Sequence, residues 1–165
     1  MDDFKLRDFA ASEGKQLPVQ KCSEKEVATV RALLLRRLGL PEATDGLALV
    51  QAVEARSVAV EALDASRDDF DLAQFFAESI GISLEDYVFL NWYRFDELDR
   101  MRARDLAEFF SDVWYPSADD LDVMDRQCRW IISIDHHGGL RVLRLAPGTD
   151  DDDVNAGGRS TDGDV

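Results

Sequence analysis

The chain reads as one α+β domain in which N-terminal helices are followed by a mainly antiparallel sheet of about four or five strands, ending in a C-terminal β-hairpin. Three observations predict this. A helix-start signal stands at Ser23, the apolar spacing turns from helical to strand-like after Tyr87, and two apolar runs flank a Gly138-Gly139 reversal. At 165 residues and 45% hydrophobic content the chain can build one core, whereas two full domains would be cramped.

Residues 1 to 22 are mixed in composition and are read as an irregular lead-in to a domain spanning 23 to 145. Ser23-Glu24-Lys25-Glu26 has the capping-box pattern, in which the serine hydroxyl and the glutamate carboxylate satisfy free amides at a helix start. Val27, Val30, Leu34 and Leu38 follow at three- and four-residue steps, and Gly39 and Pro41 end the helix. A second helix is expected from about Asp45 to Ala55, with Leu47, Val50 and Val53 inward. Ser57 to Leu63 alternates, and the β-branched Val58 and Val60 favour a strand there. Asp69 to Ile80 reads as a short helix burying Leu72, Phe75 and Phe76, stopped by Gly81.

Tyr87 to Phe95 is β-rich and apolar on both faces, as a central strand covered by helices would be. Arg104 to Val113 is amphipathic and helical, and Trp114 to Ala118 is a turn. Asp120 to Asp125 alternates acid and apolar residues like an exposed strand. Arg129 to Asp135 and Leu140 to Leu145 then form a hairpin, with glycine supplying the positive φ of the reversal. Residues 146 to 165 contain almost nothing that could join a core, and the adjacent Asp150 to Asp153 repel one another, so a disordered acidic tail is expected.

Charge narrows the function. The net charge of −15 disfavours direct binding to nucleic acid, whose affinity for proteins comes largely from Lys and Arg, and disfavours anionic membrane surfaces. Residues 1 to 45 balance eight acids with eight bases, while residues 46 to 145 carry twenty acids and ten bases. An acidic body of this kind speeds encounter with a basic partner, within a screening length of about 8 Å at physiological salt. The opening Met1-Asp2-Asp3-Phe4-Lys5 lacks a signal-peptide layout, no apolar run is long enough to span a bilayer, and Cys22 and Cys128 are far apart. A cytoplasmic location with two free thiols is expected.

Nine of the fifteen aromatics fall between Tyr87 and Asp125, and from Asp96 to Asp125 ten acids face only three arginines. Trp114 and Tyr115 sit at a helix end among Asp112, Asp119, Asp120, Asp122 and Asp125, a mixture suited to gripping a cationic surface. The expectation is a non-enzymatic binder without a cofactor, for instance an immunity or inhibitor protein covering a basic nuclease or toxin, with these seven residues at the interface. The alternative reading of Trp114 is a plug at the end of the core.

Catalytic alternatives are weaker. Asp135-His136-His137 after the apolar run Trp130 to Ile134 resembles the triplet of the DHH phosphoesterases, which implies manganese binding there. The Asp-rich upstream motifs of that family have no counterpart in this chain, and Gly138-Gly139 turns the segment back as a hairpin. A simpler metal-dependent hydrolase would combine one histidine with the Asp119 to Asp125 cluster. A DNA mimic is a further alternative, weakened by the ten bases interleaved among the acids of the body. No nucleophile motif or phosphate-binding glycine loop occurs.

Overall fold

A computed structural model describes residues 1–146, and the predicted acidic tail lies almost entirely outside the described residues. One seven-stranded sheet runs through the domain in the order β1-β4-β3-β5-β6-β7-β2, every neighbouring pair antiparallel. The strands are β1 (Gln20–Lys21), β2 (Val58–Asp64), β3 (Tyr87–Asn91), β4 (Leu98–Arg102), β5 (Leu121–Asp125), β6 (Trp130–Ile134) and β7 (Gly139–Arg144). The helices are α1 (Asp3–Glu13), α2 (Glu24–Leu38), α3 (Gly46–Arg56), α4 (Leu72–Phe75) running into a π-helical turn (Phe76–Ile80), α5 (Ala103–Glu108) and α6 (Phe110–Val113). None is long and apolar enough to cross a membrane.

The sheet has a separate core on each face. One face packs Val88, Leu90, Met101, Val123 and Ile132 against Phe9, Phe76, Leu106 and Trp114 of the helices around it. The other packs Phe89, Met124, Ile131 and Leu143 against Val30, Leu34, Leu49 and Val53 of α2 and α3. Because successive strand residues point to opposite faces, strands covered on both sides must be apolar at nearly every position, as the five residues of β6 are except for Ser133.

The capping box forms as expected: Ser23 accepts from the Glu26 amide, and the Glu26 carboxylate accepts from the Ser23 amide at 2.9 Å. That arrangement also holds the Glu26 carboxyl below its ordinary range. Gly39 closes α2 in the left-handed conformation, and Asp45 caps α3 by accepting from the Ala48 amide. The terminal hairpin pairs Ile134 with Leu140, and Gly138 takes the positive φ.

The expected four or five strands are corrected to seven, and the order of elements differs as well. The two additional strands are β1 and β4. β1 is two exposed residues and carries no period. β4 reads Leu98-Asp99-Arg100-Met101-Arg102, where the apolar residues lie three apart on opposite faces and the charges between them mimic a loop. Helices are also interleaved with the strands, since β2 precedes α4, and α5 and α6 lie between β4 and β5.

Residues 1 to 22 are not an irregular lead-in, because α1 and β1 occupy them. The inward positions of α1 are Phe9 and Lys5, and a lysine on the buried stripe conceals its period. The helix expected over Arg104 to Val113 is broken at Phe109 into α5 and α6. β5 is not an exposed strand, for it lies between β3 and β6 with four of its five residues buried.

Candidate functional site

The seven residues expected to form a docking face are spent largely on the fold. Trp114 is 2% exposed, stacks on Phe110 with ring centroids 5.5 Å apart, and donates its indole N–H to the Asp119 carbonyl at 2.9 Å. It is the core plug of the alternative reading. Asp119 accepts from the Tyr115 amide and pairs with Lys5. Lys5 is 1% exposed, donates to the Val113 carbonyl at 2.8 Å, and lies 4.6 and 4.7 Å from the ring centres of Trp92 and Tyr115. The amine of Met1 pairs similarly with the buried Asp99.

The acidic, aromatic region does bind a cation, and that cation is the chain's own α1 lysine. Tyr115 is partly buried and its hydroxyl is pushed above its ordinary range by burial, then by Asp112, Asp8 and Asp119. Burial, with Glu13 nearby, also raises Asp112. Asp125 is 8% exposed and accepts from the Arg129 amide and guanidinium at 2.6 and 2.7 Å. Asp112, Tyr115 and Asp119 thus lie near one another, while Trp114 and Asp125 are buried.

Asp122 stands at the centre of a polar ladder across three strands. Its register partners are Asn91 on β3 and Ser133 on β6, and their side chains donate to its two carboxylate oxygens at 2.8 and 2.6 Å. Burial pushes the carboxyl above its ordinary range, and the two hydrogen bonds offset part of that shift. Asn91, 1% exposed, uses its side-chain oxygen to accept from the Phe95 amide at 2.8 Å.

That bond shapes the loop 92–97, where the strand expected to run to Phe95 ends at Asn91 instead. Phe95 is fully buried at φ 60, a conformation rare for a bulky side chain, and it persists because the core and Asn91 hold it there. Arg31 donates to the carbonyls of Arg94 and Thr44 at 3.2 and 2.6 Å and ties the loop to the start of α3. Gly46 lies so close that a Cβ there would sit 2.6 Å from the Arg94 Cβ.

So held, the loop projects Tyr93, which is 66% exposed, with the Arg94 guanidinium 4.5 Å from its ring centre and bonded to its hydroxyl at 2.8 Å. A cleft opens on each side. One, of about 520 Å³, is lined by Lys5, Trp92, Tyr93, Asp96, Glu97 and Asp120 among others. The other, of about 360 Å³, runs between α3 and the sheet past Leu47, Tyr93, Asp120, Asp122 and His136. Asp120 borders both and is the only one of the seven expected interface residues that is exposed.

The histidines sit at the hairpin tip. Asp120 accepts from the His136 amide and contacts its Nδ1, both at 2.9 Å, while Asp135 accepts from the His137 and Gly139 amides as a turn-forming residue. The His136 and His137 rings lie with centroids 4.1 Å apart, tilted by 51° to each other. Among the described residues no three His, Cys, Asp or Glu side chains converge on one point that could hold a metal. Both cysteines are buried, and burial pushes their thiols up to about 11 for Cys22 and about 12 for Cys128.

One signal in the sequence marks this exposed loop. Asn91 and Arg94 interrupt an otherwise apolar run, and a polar residue ending a central strand beside Trp92 and Tyr93 indicates a constrained turn. In comparison with known proteins, no family model, no curated protein and no solved structure matches the chain.

Proposed function

We propose that the protein acts by binding a basic protein partner, in the manner of an immunity or inhibitor protein that covers a nuclease- or toxin-like active site. The contact centres on Tyr93 and Asp120, displaced from the Trp114 and Tyr115 region that composition favours. The observation that carries this reading is the clamped loop: a large aromatic is held two-thirds exposed on a strained, buried-anchored turn between two clefts bordered by carboxylates. Tyrosine and arginine are the residues that most often anchor interfaces, and a pre-ordered loop loses little entropy on binding. Asp96, Glu97, Asp120 and Asp135 are exposed around it and suit lysine or arginine on the partner.

The test is capture from the source cell with wild type, Tyr93→Ala, and Asp96→Lys combined with Asp120→Lys. A basic partner should be retained by wild type, lose roughly thirtyfold in affinity with Tyr93→Ala, and dissociate faster from the charge-reversed protein and at raised salt. A partner held equally by all three proteins and indifferent to salt would overturn the proposal.

A further inference from the structure

The two ends of the sheet are closed differently. β1 is only two residues long and leaves little edge to pair. β2 runs for seven residues, about 23 Å at the usual rise per strand residue. It contains no proline, and among the described residues no strand pairs with its outer side. Val58 is 72% and Leu63 40% exposed along it. Such an edge is a template for another strand, because its outward N–H and C=O groups lack protein partners.

The surroundings select what that strand carries. A groove of about 560 Å³ separates β2 from α4 and the π-helical turn, bordered by Glu61, Asp64, Asp69, Asp71 and Glu78 with Arg67 as its one cation. Arg67 is already engaged by Asp69 at 2.8 and 3.0 Å. Glu61, at the midpoint of β2, is exposed and makes no hydrogen bond or ion pair among the described residues. A second copy pairing antiparallel about this midpoint would set Glu61 against Glu61 and one acidic groove beside another, and like charges directly opposite destabilise a strand pair. The same carboxylates attract a basic strand.

We infer that the free edge of β2 receives an extended, lysine- or arginine-bearing segment of a partner protein as an eighth strand, with the groove carboxylates, Glu61 foremost, meeting its basic side chains. This surface lies at the end of the sheet and does not depend on the Tyr93 loop.

The test uses the full chain and a short synthetic peptide of alternating lysine and valine, as long as β2. Three controls accompany it: a glutamate–valine counterpart, a lysine–valine version N-methylated at alternate residues, and the Glu61→Lys protein. Affinity is read by fluorescence anisotropy, and backbone protection by amide hydrogen exchange. The lysine–valine peptide should bind and slow exchange within Val58 to Leu63. Binding should weaken by roughly tenfold in Glu61→Lys and vanish for the other two peptides. N-methylation keeps the charge and removes the strand hydrogen bonds, so equal binding of that peptide would overturn strand addition. Protection that appears away from β2, or dimerisation of the free chain through β2, would overturn it equally.

Discussion

Lys5 shows how one residue can serve the fold while carrying the signature of a binding site. Its ammonium is inside the domain, where an unpaired charge would be prohibitive, and Asp119, the Val113 carbonyl and two aromatic faces compensate it. Removing one partner of a buried pair strands the other, so Lys5→Met should lower unfolding free energy by about 3 kcal/mol. Adding Asp119→Asn should recover part of that loss. Urea denaturation of the two single variants and the double variant measures the coupling, and strict additivity would contradict this account.

Asp122 makes a pH prediction. Its folded pKa is raised above the ordinary 3.8, so across the window from about that value up to the raised one the folded chain binds more protons than the unfolded chain. Stability contributed by Asp122 is therefore highest below the window and is lost as pH rises through it. Wild type compared with Asp122→Asn by urea midpoint should show a difference that shifts against wild type with rising pH and levels off above the window. A flat difference would mean that Asn91 and Ser133 fully offset the burial.

At the level of elements, the loop 92–97 depends on three neighbours: the end of β3 through Asn91, α2 through Arg31, and the start of α3 through Gly46. The glycine is needed for closeness. A Cβ at Gly46 would meet the Arg94 carbonyl oxygen at 2.7 Å, backbone that moves only if the loop moves. Gly46→Ala should therefore cost about 2 kcal/mol and weaken partner capture by displacing Arg94 and, with it, Tyr93. Denaturation and the capture assay together check this, and a variant with lowered stability but unchanged binding would show that the loop's position is not what the partner reads.

For the whole molecule, net charge −15 in a single domain is a standing repulsion that the internal ion pairs relieve only locally. The Lys21–Glu97 and Arg67–Asp69 pairs are exposed, and such pairs contribute little. Salt should therefore raise the thermal midpoint as screening of the acidic body outweighs weakening of the surface pairs. A differential scanning series from low to physiological ionic strength would show a fall instead if the ion pairs dominated.

Local chemistry was enough to establish α2 with its capping box, the start of α3, the strand character of Val58 to Leu63, the terminal hairpin and the excess of acid in the body. Each depends on neighbours within a few residues, where amide satisfaction, glycine conformations and side-chain period act without the rest of the fold. Contacts across the chain decided what remained. β4 is a strand because it pairs along its whole length with β3 and on its other side with β1, and its Arg100 finds a partner in Glu26, 74 positions away. Four of the carboxylates expected to face a partner are engaged from within: Asp119 by Lys5, Asp122 by Asn91 and Ser133, Asp125 by Arg129, and Asp120 by the His136 amide. Composition counts charges, and only the packed arrangement shows which of them are already neutralised from within.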